Sequence, residues 1–172
     1  MSDECKILDP TAFGLFFVAA VSLPLAIAGI GGYFDAATVS FAKLFMVAGF
    51  FILIAALAAY RAGSNFGFIV FGLVALGVFL SGWGGADAYI NITLGIIYLV
   101  ALIWSYRVGN PKTLTFILLT TALIFLFLGI GDPSVADSEI CSQLLMGIAA
   151  LANFVLSFYL AFALADEKLP CY

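Results

Sequence analysis

Histidine is missing from all 172 residues, and only 9% of the chain is Asp, Glu, Lys or Arg. Without histidine there is no imidazole to act as a general acid or base, to ligate a metal or to change charge near neutral pH. A water-soluble domain carries about 25% charged residues, so this chain has too little polar side chain to cover a water-facing surface. Six Lys and Arg against ten Asp and Glu give a net charge of −4, and there is no basic patch for nucleic acid. Cysteine is sparse too. Cys5, Cys141 and Cys171 lie far apart with no CxxC pair, which fits isolated thiols and not a metal cluster or disulfide scaffold. No cofactor or metal is expected. An enzyme is the least favoured class, because neither spaced cysteines nor paired intramembrane carboxylates remain to carry chemistry.

What is present is apolar: 65% of the residues, 16% of them aromatic when counted over the whole chain. The solvent such a composition requires is a lipid bilayer. A membrane-spanning helix needs about 20 predominantly apolar residues, and six stretches qualify, at about 11–33, 39–60, 66–83, 89–106, 112–131 and 143–165. The breaks hold turn residues and most of the charge, as in Arg61-Ala62-Gly63-Ser64-Asn65 and Arg107-Val108-Gly109-Asn110-Pro111. The expected fold is an all-α polytopic membrane protein, one domain of six transmembrane helices over residues 1–172. A β-barrel is excluded because the apolar runs are long and unalternating. The first run exceeds a signal-peptide core and its flank is acidic on balance, so it reads as a retained helix.

With an even number of spans both termini share one side. That side collects Lys6, Arg61, Arg107, Lys112 and Lys168, and the other has only Lys43. This bias places the termini in the cytoplasm and the protein in the plasma membrane. Tyr60 and Tyr106 mark the inner interface, and Tyr33, Trp83 and Tyr89 the outer one.

No charged residue falls in the middle third of any span. That argues against a voltage sensor, a retinal pigment and a pump with a buried carboxylate. Small, weakly polar residues stand there instead: Gly14, Val18, Ser22, Ala26 and Gly29 recur along the first span, and Ala149, Asn153, Ser157 and Ala161 along the sixth. Thr113, Thr120 and Thr121 lie near one face of the fifth. Two readings are open. Small residues let membrane helices approach and hydroxyls bond between them; alternatively, the same groups line a narrow pore for a small solute.

The odd-numbered spans begin alike. Asp9-Pro10 opens the first and Asn110-Pro111 the fifth, each with an N-cap side chain before a proline at the first helical position, and Ser64-Asn65 opens the third. Their partly positive N-termini, converging, would form a cytoplasmic vestibule for small anions; ordinary capping explains the same residues without a ligand. Pro24 is expected to kink the first span unless neighbours satisfy the freed carbonyl.

Several blocks resemble the acetate uptake transporter family, whose bacterial members are called succinate-acetate permeases. Its signature Asn-Pro-Ala-Pro-Leu/Phe-Gly-Leu corresponds to Asp9-Pro10-Thr11-Ala12-Phe13-Gly14-Leu15, which departs at Asp9, Thr11 and Ala12. A second block, tyrosine, two residues, glycine, polar residues and Phe-Gly, corresponds to Tyr60-Arg61-Ala62-Gly63-Ser64-Asn65-Phe66-Gly67. Leu114, Phe116, Gly129-Ile130-Gly131 and Tyr159-Leu160-Ala161 follow in register.

The resemblance implies a six-helix protomer in a homohexamer, each protomer carrying acetate or other short-chain carboxylates through its own pore. The family's constriction is an aromatic on the first helix, a tyrosine on the third and a leucine on the fifth. Val18, Val74 and Thr121 occupy those positions here, so a wider and wetter gate is expected, with Phe17 and Phe71 as neighbouring aromatics able to take it over. The expected pathway is Val18, Val74, Thr121, Phe17, Phe71, Ser22, Asn153 and Ser157. The expected vestibule is Asp9, Pro10, Thr11, Phe13, Gly14, Leu15, Asn65 and Asn110. Two alternatives stand beside acetate transport: a neutral-solute channel for urea, amides or ammonia, and a structural multi-span protein whose stripes only pack helices.

Overall fold

A computed structural model describes residues 10–31, 34–132 and 139–165 of the chain, so Asp9 lies outside the described residues. Six helices follow in order: α1 (Pro10–Gly31), α2 (Phe34–Arg61), α3 (Asn65–Trp83), α4 (Ala88–Arg107), α5 (Lys112–Ile130) and α6 (Glu139–Ala165). All six are long and apolar enough to cross a membrane. Two start earlier than hydropathy predicts, α2 at Phe34 and α6 at Glu139. Hydropathy marks the apolar stretch, whereas the backbone hydrogen-bond ladder runs on past it into the polar boundary.

Local chemistry sets the ends. Gly84 ends α3 in the left-handed conformation at φ 77°, which glycine adopts without a Cβ clash. The Oδ1 of Asp87 then starts α4 by accepting the N–H of Ile90 at 2.8 Å. Ser64 caps α3, its Oγ accepting from the Gly67 N–H at 3.1 Å. The fifth helix departs from expectation. Pro111, not Asn110, occupies the cap position and makes no side-chain cap bond. The Asn110 Nδ2 donates instead to Ser105 Oγ at 3.3 Å, back towards α4. With two hydroxyls nearby, Ser105 and Thr115 lying 3.1 Å apart, the amide finds its partner across the turn. α1 continues through Pro24 without a break.

Each helix packs on its neighbours in the chain, and α6 packs back on α1, so the six close a ring in chain order. The seam between α3 and α4 is the thinnest of the six. Apolarity does not choose which face points inward, because every helix is apolar all round; size and weak polarity do. On α2 the buried face is Ala48, Ile52, Ala55, Ala56 and Ala59, while Phe50, Leu53 and Leu57 point out. α1 and α6 cross at Gly29 and Gly147: a Cβ on Gly29 would stand 2.7 Å from Gly147 Cα. The small-residue stripe of α1 is therefore divided, its end serving helix packing and its middle facing the ring's interior.

Candidate functional site

The interior of the ring is not solid. A cavity of about 450 Å³ occupies the end where α3 finishes and α4 starts, lined by Ser81, Gly84, Ala86, Asn91 and Asp132 among others. A second, of about 250 Å³, occupies the opposite end and is lined by Thr11, Ser64, Asn110 and Pro111, from the beginnings of the three odd-numbered helices. Val18, Val74 and Thr121 line both. They come from α1, α3 and α5 and are all at least nine-tenths buried, so they form the partition between the two spaces. Asp132, at the mouth of the larger cavity, is the sole charged residue lining either among the described residues.

On the α1–α5–α6 side of the partition, Asn153 is 1% exposed and at the centre of a polar cluster. Its Nδ2 donates to Thr121 Oγ1 at 2.8 Å, Thr120 Oγ1 at 2.9 Å and Ile117 O at 3.2 Å. Its Oδ1 accepts from Ser22 Oγ at 3.0 Å and Ser157 Oγ at 3.2 Å. Ser22 shares its one hydroxyl hydrogen between this Oδ1 and Val18 O, the latter at 2.8 Å. Thr121 donates its one hydroxyl hydrogen to Ile117 O at 2.8 Å, so it can only accept from the amide, which assigns the amide's orientation. The cluster ties α1 and α5 to α6 and leaves Thr121 with spare acceptor capacity but no spare hydrogen.

The sequence-predicted residues divide accordingly. Val18, Val74, Thr121, Ser22 and Asn153 line the larger cavity, and Phe71, Thr11, Leu15 and Asn110 line the smaller one. Ser157 lines neither; fully buried, it stands behind Asn153 as a hydrogen-bond donor. Phe17 lines neither because its ring stacks on Phe51 of α2, centroids 4.7 Å apart. Phe13 is exposed and meets the same Phe51 edge-on. Gly14 is buried beneath Phe71, where a Cβ would come within 2.7 Å of the ring. Asn65 is exposed at the first position of α3, and the neighbouring Ser64 lines the cavity in its place.

Two residues of α4 escape a reading of the sequence. Tyr98 is fully buried, stacks on Phe125 at 5.8 Å and donates its hydroxyl to Val70 O at 3.0 Å, across the thin α3–α4 seam. Asn91 is 7% exposed and lines the larger cavity. Tyr98 carries a sequence signal in its place at the middle of the fourth span, whereas the interfacial tyrosines mark span ends. Asn91 carries another: it is an amide one turn inside an apolar span.

The fold and site define a multi-pass α-helical membrane protein with a hollow interior. No family model, curated protein or solved structure matches the chain.

Proposed function

We propose that each six-helix bundle is a conduit for small carboxylic acids, acetate first, entering or leaving at the odd-helix starts and crossing the Val18–Val74–Thr121 partition. The observation that carries this is the pair of cavities reaching in from opposite ends and sharing those three residues. They are also the positions that correspond to the constriction of the acetate uptake transporter family. A structural protein has no need of such a hollow, since unfilled interior space forfeits packing contacts.

The hydrogen inventory favours the undissociated acid over the anion. At the partition, Thr121 offers lone pairs and no hydrogen, and among the described residues no Lys or Arg lines either cavity. An acid O–H has an acceptor there, while a bare carboxylate lacks a compensating charge. The same lining suits small amides, which makes a neutral-solute channel the second reading. No chemical transformation is part of this role.

The Lys and Arg distribution supports cytoplasmic termini in a plasma-membrane protein, with the smaller cavity opening inward. The family resemblance supports a homohexamer. Proteoliposomes test the conduit: labelled acetate should exchange faster across them than across protein-free vesicles of the same lipid. Equal rates would refute it.

A further inference from the structure

The larger cavity contains two buried asparagines in opposite situations. Asn153 has a partner for every hydrogen-bonding position it uses. The Oδ1 of Asn91 is buried and without any hydrogen-bond partner, and the residue is more than nine-tenths buried and lines the cavity. Buried polar groups in folded proteins are otherwise almost always satisfied, so an unpaired one in a cavity wall calls for a partner that the described residues do not supply. The helix start does not supply one. Asp87 caps α4 through Ile90 N–H, and the Asn91 backbone N–H bonds to Asp87 O at 3.0 Å, leaving the side chain out of both bonds.

We infer that Asn91 is the recognition group of a solute-binding site in this cavity, selective for a small solute bearing a donor and an acceptor on one carbon, namely an undissociated carboxyl group. A carboxamide and a carboxylic acid are complementary: the amide oxygen accepts the acid O–H while the amide N–H donates to the acid carbonyl. A carboxylate loses half of this pairing. It has no hydrogen for Oδ1, and its charge shares the cavity with Asp132 at the mouth. The site thus selects the neutral form at the end of the conduit opposite the helix-start cavity, across the partition from it. A primary amide such as acetamide has the same donor and acceptor pair and no titration in the working range, so it reports on the pairing independently of pH. This assignment rests on the conduit for its place in transport, but binding at Asn91 is separable from flux.

The test is ligand-observed NMR on the full detergent-solubilised chain, following the methyl signals of acetamide and acetate at pH 5 and pH 7, with Asn91→Leu and Asn91→Asp as variants. Acetamide should bind the unaltered chain equally at both pH values. Acetate binding should fall steeply with pH, since a carboxyl group of ordinary pKa loses about a hundredfold of its neutral form over two pH units. Asn91→Leu should weaken binding of both about five- to tenfold. Asn91→Asp keeps the side-chain shape if the leucine variant does not fold, and it should weaken acetamide binding at pH 7, because a carboxylate has no N–H for the solute carbonyl. Unchanged binding in the variants, acetate binding equal at both pH values, or no solute signal in any protein, as for a site holding only ordered water, would each overturn the assignment. Proteoliposome flux separates the two claims. Binding lost in the variants with no flux in any protein leaves the Asn91 site standing and removes the conduit. Flux and binding alike in all proteins removes the site and leaves the conduit.

Discussion

The value of a polar residue inside this bundle depends on what its hydrogens are already doing. Thr121, read from the sequence as an added hydroxyl that wets the gate, has its hydrogen held by Ile117 O and one lone pair engaged by Asn153. Thr121→Leu removes one of three acceptors for the Asn153 amide, and Thr120 Oγ1 and Ile117 O remain. The stability loss should be only about 0.5–1 kcal/mol, measured by thermal melting in detergent. Its effect on transport should be larger and size-dependent, with flux of lactate or succinate falling more than that of acetate as the partition narrows. Equal loss for all three solutes would count against selectivity at this position. Tyr98 offers a second residue-scale comparison. Tyr98→Phe removes the bond to Val70 O and keeps the stack on Phe125, costing about 1 kcal/mol. Tyr98→Ala empties a fully buried site and should cost about 3–5 kcal/mol. Similar losses for both would mean that the hydroxyl, not the ring, holds the α3–α4 seam.

Between helices, glycine separates close crossings from open space. At the α1–α6 crossing a side chain on Gly29 would meet the backbone of Gly147 and Gln143 O at 2.7 Å, and backbone cannot turn aside. Gly29→Leu should therefore force the two helices apart, lowering the melting temperature or preventing assembly. Gly72 of α3 is the control, since a Cβ there meets nothing within 4 Å. Gly72→Ala should be stabilising by about 0.5–1 kcal/mol through helix propensity. If both substitutions behave alike in the same melt, close packing does not set the α1–α6 crossing. Helix starts carry the converse lesson. Ser64 caps α3 as its position predicts, but Asn110 does not cap α5, because Ser105 lies within reach across the turn. Cap chemistry is readable in sequence only where no tertiary partner competes for the side chain.

For the whole molecule, the ring closes in chain order, so its two ends are distinct: one gathers the starts of the odd-numbered helices, and the other gathers their ends. Cys141, a free and exposed thiol in the first turn of the spanning part of α6, belongs to the second end. In a Cys5→Ser, Cys171→Ser background, a membrane-impermeant maleimide added to intact cells should label Cys141 from outside. Labelling only after permeabilisation would reverse the orientation read from the Lys and Arg distribution.

The sequence by itself determined the solvent, the number of spans and their approximate limits, because hydropathy is a local sum over about 20 residues and needs no knowledge of neighbours. It also drew attention to Val18, Val74 and Thr121, through a likeness of pattern. Only the tertiary structure decided which faces turn inward, since helices that are apolar all round carry no directional signal of their own. It alone distinguished Asn153, whose amide is satisfied by α1, α5 and α6 together, from Asn91, whose buried Oδ1 has no hydrogen-bond partner. A hydrogen bond between distant helices exists only once the chain has brought them together, and no spacing along one helix encodes it.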